Sequence, residues 1–407
     1  MAHVVTCFLR NRGEVLLVRR SDAVGTYAGR WGGVSGYVEG DPADALVDAR
    51  REIREETGLE AASPVRIGDV LDLVDGDREW TVHPFLFDVD RRGVTPNEEL
   101  ATWEWTSPTA MFDRETVPGL WEAYRRVGPT AATVREDRER GSAAVSVSAL
   151  EALRDAAAVA DDWEAIADVA CDLRSARPSM AAVANRVNRA MAAAARDPRA
   201  IHDAASAAIE RALDADDAAA ANAAELLSGT AATLSRSGTV LAALEAAEVD
   251  VLVAESRPAR EGVGVAERLA DAGAAVTLTT DAAMAHLLGQ GAADVALVGA
   301  DAVLADGSVA NKVGTRALGL AADREGVPLY VVAARDKIRP DERMAGESGD
   351  STDVYDGEAN LEVANPIFDR TPADLVTGVV TEEGVLDAGG VREAAAEHRE
   401  LARWDDA

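Results

Sequence analysis

Lysine is nearly absent from this 407-residue chain: of 41 basic residues only Lys312 and Lys337 are lysines. Cysteine is almost as scarce, and Cys7 and Cys171 are too few and too far apart for a disulfide framework. The five histidines (His3, His83, His202, His286, His398) fit no zinc spacing. Aromatic residues make up only 4% of the chain, and no apolar run approaches the roughly 20 residues of a membrane span. Nor does a charged-then-apolar leader open the sequence. Zinc fingers, disulfide scaffolds and membrane spans are excluded on these grounds, and a soluble, cytoplasmic protein is expected.

Acid, by contrast, is plentiful. The net charge of −31 argues against DNA binding, which needs basic surface to neutralise phosphates. A local pocket can still hold a small anion. An acidic interaction tail would gather its carboxylates in a block, whereas Asp and Glu are spread throughout here. Spread acidity with arginine in place of lysine fits a halophile's solvation strategy. The length predicts two or three domains.

Residues 1–130 read as the first domain. Val4–Arg10 and Glu14–Arg19 flank the turn Asn11-Arg12-Gly13 as a hairpin. A glycine-rich stretch, Trp31-Gly32-Gly33-Val34-Ser35-Gly36, precedes a helix over 43–57 that stops at Gly58, a left-handed C-cap. Glu52, Glu55 and Glu56 stand at i, i+3 and i+4 on that helix, where like charges repel unless a cation lies between them. Two readings fit this spacing: a Mg²⁺ site facing substrate phosphates, or a solvated helix with arginine–glutamate pairs.

The stretch Arg51-Glu52-Ile53-Arg54-Glu55-Glu56-Thr57-Gly58-Leu59 resembles the carboxyl-terminal half of the Nudix box, G-x5-E-x7-R-E-U-x-E-E-x-G-U. The amino-terminal half departs, with Tyr37 and Ala43 where the pattern has Gly and Glu. The resemblance implies a Nudix α/β/α sandwich that hydrolyses a nucleoside diphosphate derivative with Mg²⁺ or Mn²⁺. Glu52, Glu55 and Glu56 would hold the metal, Arg51 would orient a carboxylate, and Glu98 would be a further acid. A noncatalytic, ligand-sensing Nudix domain is the alternative.

Residues 131–144, within the Gly128–Ser142 run of Gly, Pro and mixed charge, read as a linker. From 145 to 228 the chain is alanine-rich, with Leu150, Leu153, Val159, Trp163, Ile166, Val169 and Leu173 recurring at helical spacing. This predicts a helical bundle broken at Arg177-Pro178 and Asp197-Pro198. From 229 to 390, short apolar runs (250–255, 275–280, 294–299, 329–333) alternate with helical segments. That order predicts a Rossmann-like parallel α/β domain that binds ligands beyond the carboxyl ends of its strands.

Three loops are placed at those ends. Thr233–Thr239 carries Ser235, Arg236, Ser237 and Gly238. Glu255–Gly262 carries Arg257. The strand in Val295–Thr315 ends at Asp301, and Ala310–Thr315, with Asn311 and Lys312, reads as the opening of a helix. Together they form a phosphate and polyol cradle. A charged helix over 391–407 would cover a subunit interface or fray.

Four ordered pieces, Ala176–Asn185, Glu255–Gly262, Val298–Thr315 and Asn365–Gly384, resemble one family. It joins the regulatory subunits of translation initiation factor 2B with the methylthioribose-1-phosphate and ribose-1,5-bisphosphate isomerases. The resemblance implies a sugar phosphate or nucleoside monophosphate ligand, a homo-oligomer, and initiation factor 2 as a further partner. It also implies Asp301 as a catalytic acid and Arg257, Asp301, Asn311 and Lys312 as ligand contacts. The isomerases carry Cys-Asn-(Ser/Thr)-Gly where this chain has Ser235-Arg236-Ser237-Gly238. A hydroxyl does not trade a proton as a thiol does, so the loop is closer to the noncatalytic subunits.

Overall fold

The computed structural model describes residues 2–60 and 64–406, and the terminal residues of the first and last expected segments, 1 and 407, lie outside it. The chain divides into two compact units, 1–130 and 131–407.

The first unit is built on β1 (Ala2–Asn11), β2 (Glu14–Arg20), β3 (Trp31–Gly32), β4 (Val34–Tyr37), β5 (Pro64–Ile67), β6 (Leu71–Asp75), β7 (Arg78–Asp88) and β8 (Leu100–Thr106). β1 runs parallel to β7 and antiparallel to β2 and β4. Its side chains alternate between faces, as a strand requires. Val5, Cys7 and Leu9 pack with Ala45, Ala49 and Ile53 of α1 (Ala45–Thr57), while Phe8 packs on the opposite face with Leu120 and Tyr124 of α2 (Leu120–Arg125). The apolar stripe of α1 recurs every four residues, which turns its acidic side toward the edge of the sheet. Gly58 closes α1 at φ +67°, in the left-handed conformation that glycine adopts without a Cβ clash.

In the second unit the expected linker is not a linker. Residues 131–136 form α3 (Ala131–Glu136), Val134 is buried in the helical core, and α4 (Ser142–Ala157) begins at Ser142. With α5 (Trp163–Arg174), α6 (Ala181–Ala192) and α7 (Pro198–Ala224) this makes a helical bundle. Its core takes Leu150, Leu153, Ile166 and Leu173, whereas Val159 falls in the α4–α5 turn and is exposed. Both expected breaks separate helices. Asp197 caps α7 by accepting from the Ala200 N–H, with Pro198 in the first turn, where its missing N–H costs nothing. The far end of α7 packs through Ala219, Ala220 and Ala223 against the sheet domain.

That domain runs β9 (Thr230–Leu234), α8 (Gly238–Ala247), β10 (Asp250–Ala254), α9 (Glu261–Asp271), β11 (Val276–Thr279), α10 (Met284–Leu288), β12 (Val295–Val298), β13 (Ala302–Val303), β14 (Val309–Lys312), α11 (Thr315–Glu325), β15 (Leu329–Val332), β16 (Phe368–Thr371), β17 (Gly378–Thr381), β18 (Gly384–Leu386) and α12 (Ala388–Leu401). The main sheet has the order β11-β10-β9-β12-β15-β17-β18 and is parallel except for β18. The chain moves from β9 outward to β11, then returns to β12 on the other side of β9. The switch point, where loops diverge and leave a crevice, lies between β9 and β12.

Two expectations need correction. Asn311 and Lys312 do not open a helix; they lie on β14, in a second antiparallel sheet with β13 and β16, and the helix begins at Thr315. The carboxyl-terminal helix begins at Ala388 and packs on its own chain. Val391, Ala394, Ala395 and His398 are buried, and Trp404 beyond it joins the helical core.

Candidate functional sites

In the first unit, α1 leans its acidic side on β4. Glu56 is 2% exposed and its Oε1 accepts from the Ser35 N–H at 3.3 Å. Glu52 faces Gly36, where an added Cβ would lie 2.0 Å from Glu52 Oε1, so only glycine leaves room for that carboxylate. Glu55 is more exposed. Arg51 holds the group together, reaching Glu52 at 2.9 Å, Asp48 at 3.0 Å and Glu55 at 3.4 Å, and donating to the Tyr37 carbonyl at 3.3 Å.

Burial raises the Glu56 carboxyl to about 8, against the Ser35 N–H, with the charges of Glu52 and Glu99 adding to it. Burial also raises Glu52; Arg51 opposes this, while Glu55 and Glu99 reinforce it. Glu99, whose charge acts on both carboxyls, stands next to the expected further acid Glu98, whose backbone carbonyl accepts from Ser21 Oγ at 2.6 Å. Asp48 was also missed. It is buried beside Arg51, and among the described residues it supplies the closest carboxylate partner of that guanidinium after Glu52.

This donor set suits a hard divalent cation. The carboxylates are oxygen ligands, the burial of Glu56 and partial burial of Glu52 carry a cost that a cation relieves, and Mg²⁺ typically takes one or two protein carboxylates plus substrate phosphates. Among the described residues no trio of His, Cys, Asp and Glu side chains is already gathered for a metal. Glu52 and Glu56 are the pair that fits, and Glu55 is turned toward Arg51.

In the second unit a cavity of about 390 Å³ opens at the switch point. Ser235, Arg236 and Ser237 follow β9, Gly299 and Asp301 follow β12, and Asn311 and Lys312 come from β14. Asp301 is fixed on both sides of its peptide, its N–H donating to Ala310 and its carbonyl accepting from Ala181. Burial raises its carboxyl, opposed by the charges of Lys337, Lys312 and Arg177 and by Ser142. Both lysines of the chain thus act on one carboxylate. Ile338 bridges Val303 in parallel, which brings Lys337 alongside the Asp301–Ala302 backbone. Lys312 pairs with Glu261 at 2.6 Å, and the Asn311 amide donates to Thr315 Oγ1 at 2.9 Å.

Two other positions differ from expectation. Arg257 does not line the cavity; its N–H donates to Asp281 at 2.7 Å and its guanidinium to the Asp353 carbonyl at 3.4 Å. Gly238 opens α8 behind Ser237, which caps that helix by accepting from Val240. The guanidiniums that do line the cavity are Arg138, Arg140, Arg177 and Arg236, and sequence reasoning named only the last. Arg138 and Arg140 lie in the stretch of mixed charge expected to be a linker. Arg177 is 4% exposed, and its Nε has no hydrogen-bond partner among the described residues. A buried donor on a cavity wall without an acceptor is what an anionic ligand would satisfy.

A sequence model described as the Initiation factor 2 subunit family matches residues 138–388, and one described as the NUDIX domain matches residues 2–127. Among curated proteins the chain is 31% identical to the methylthioribose-1-phosphate isomerase of Pseudomonas putida over 322 residues, 68% of this chain and 89% of that one. It is 40% identical over 182 residues to a probable bifunctional methylthioribose-1-phosphate isomerase/methylthioribulose-1-phosphate dehydratase of Nocardia farcinica. That match takes 41% of this chain and 33% of the relative, and several other isomerases are matched over less than half their length. Among solved structures, a translation initiation factor eIF-2B from Pyrococcus horikoshii is 27% identical with a TM-score of 0.57, covering 63% of this chain and 94% of that one. The 5-methylthioribose 1-phosphate isomerase of the same organism has a TM-score of 0.54 at 22% identity and shares the fold.

Proposed function

For a chain that belongs to the initiation factor 2 subunit family and carries a NUDIX domain at residues 2–127, we propose Mg²⁺-dependent hydrolysis of a nucleoside diphosphate derivative in the first unit. The second unit holds a sugar phosphate or nucleoside monophosphate. The observation that carries the hydrolase reading is the pair of buried Glu56 and half-buried Glu52 seated on Ser35 and Gly36, with Arg51 tying Glu52 in place. Glu52 and Glu56 would hold Mg²⁺ or Mn²⁺, which supplies charge neutralisation of the diphosphate and acidifies water. Arg51 orients the Glu52 carboxylate, and the Ser35 N–H fixes Oε1 of Glu56.

A panel of nucleoside diphosphate derivatives incubated with Mg²⁺ tests this reading, and no cleavage of any member would overturn it. Gly36→Ala gives a second check. The three atoms nearest its methyl all belong to the Glu52 carboxylate, so hydrolysis should fall by about tenfold or more with little change in thermal midpoint.

The second unit is read as a binding module, because Ser235 stands where a thiol would be needed for isomerisation. Arg140, Arg177, Arg236 and Lys312 surround the phosphate, and Asp301 takes a hydroxyl. Titration calorimetry with methylthioribose 1-phosphate, ribose 1,5-bisphosphate and AMP should show binding, and Asp301→Ala should weaken it by about tenfold or more. A regulatory role would add co-purification with initiation factor 2. A homo-oligomer would show in sedimentation.

A further inference from the structure

The cavity of the second unit is lined by charges of both signs. Arg138, Arg140, Arg177 and Arg236 bring guanidiniums, while Glu347, Asp350 and Asp353 come from a single segment, the stretch between β15 and β16. The ligand contacts named so far use none of those three acids. A carboxylate beside a guanidinium that grips phosphate is a like charge to that phosphate, and it lowers affinity.

Among the described residues, Glu347 is the acid of this segment that pairs with a cavity guanidinium. Arg177 donates from Nη2 to both of its carboxylate oxygens, at 3.4 and 3.5 Å. Its Nη1 donates to the Asp137 carbonyl, and its Nε is left over. The Ser179 hydroxyl donates to Oε1 of the same carboxylate. The Glu347 side chain is 21% exposed against 4% for Arg177. The guanidinium is thus set into the wall, and the carboxylate keeps access to the cavity.

The pairing is looser than the residue types allow. An arginine and a carboxylate set side by side form two parallel bonds of about 2.7–2.9 Å, whereas here both contacts are longer and share one nitrogen. The backbone of Glu347 is pinned, because its carbonyl accepts from the Ile367 N–H at 3.0 Å and the next residue, Ser348, bridges Pro366. The carboxylate can therefore leave by rotation of its own side chain, with the segment in place. A phosphate in its stead would offer oxygens to Nε and Nη2 together, which is the fork geometry that arginine favours.

We propose that Glu347 is an internal anion in the phosphate seat of the second unit, which an incoming phosphate must displace from Arg177. The proposal rests on the reading of the second unit as a phosphate-binding module. The apparent affinity for any phosphate ligand is then reduced by the fraction of molecules in which Arg177 is free. Removing the charge of Glu347 while keeping its shape should lift that reduction. Glu347→Gln does this, since the amide oxygen still accepts from Ser179 and Arg177.

The test is titration calorimetry of the full chain with inorganic phosphate and ribose 5-phosphate at constant ionic strength. Glu347→Gln should bind both about tenfold more tightly than the wild type. Ser179→Ala keeps the charge but removes the hydroxyl that holds it, and should tighten both by about threefold. Phosphate held by the first unit contributes equally to all three proteins, so the differences report on this cavity. Binding by the wild type that is no tighter in either variant would overturn the displaced anion and leave the phosphate-binding reading standing. No binding of these probes or of methylthioribose 1-phosphate, by wild type or Glu347→Gln, would overturn that reading and the proposal with it. Binding measurable only in Glu347→Gln would support displacement.

Discussion

Glu56→Gln should reduce nucleoside diphosphate hydrolysis by about a hundredfold or more, while binding of sugar phosphate by the second unit stays as in the wild type. The amide keeps the shape of the side chain and can still accept from the Ser35 N–H. What it removes is the charge. Burial and the charges of Glu52 and Glu99 favour the protonated form of Glu56, and a cation drawn to the site would restore a charge that glutamine cannot carry. Activity that survives in Glu56→Gln would show that the acids are structural and that the box assignment is wrong.

The same residue predicts a pH dependence of stability in the absence of metal. The folded-state carboxyl of Glu56 is raised to about 8, above the ordinary value of 4.5. Between these values the unfolded chain has released the proton and the folded chain retains it. The unfolded state therefore binds fewer protons, and stability falls as pH rises. The contribution is fully present below the unfolded value and is lost as pH passes the folded one. Thermal unfolding in chelator should thus show a midpoint that declines from about pH 5 to about pH 8. In Glu56→Gln the slope should be shallower, since glutamine has no proton to release, and an identical slope would show that the buried carboxyl does not titrate there.

Much of this was legible in the sequence, and the failures share a physical cause. Buried parallel strands announce themselves as short apolar runs, so the alternating order of the second unit and the edge where its cavity opens could be read directly. The acids of α1 could be placed because helical spacing fixes which side chains share a face. Loops offer no such period. Nothing local distinguishes Glu98 from Glu99, and only in the folded chain does the charge of Glu99 act on Glu52 and Glu56. Asn311 and Lys312 form a strand because Phe368–Thr371 pairs with it from more than fifty residues away. The run around Arg138 and Arg140 read as a linker because the cavity that its arginines line exists only after folding. The scarcity of lysine pointed further than expected, since Lys337 as well as Lys312 acts on Asp301.

Ser235→Cys should convert the binding cavity into an isomerase. Ser235 lines the cavity with Asp301, its backbone is held at φ +62°, and its N–H donates to Ser256 Oγ at 2.5 Å. The side chain is therefore placed by a loop that a one-atom change need not disturb. Aldose–ketose isomerisation moves a proton between neighbouring carbons, and the group that carries it must ionise within reach of neutral pH. A thiol does so, with an ordinary pKa of about 8.5, and a serine hydroxyl does not. The wild type should therefore bind methylthioribose 1-phosphate or ribose 1,5-bisphosphate and return it unchanged, while Ser235→Cys should form ketose at least about a hundredfold faster. The product can be followed directly by NMR. Rapid isomerisation by the wild type, not increased by cysteine, would mean that another group carries the proton, and the binding-only reading of the second unit would fall. If cysteine alone confers turnover, the rest of the cavity has kept a catalytic geometry that the chain, with serine at this position, uses only to hold its ligand.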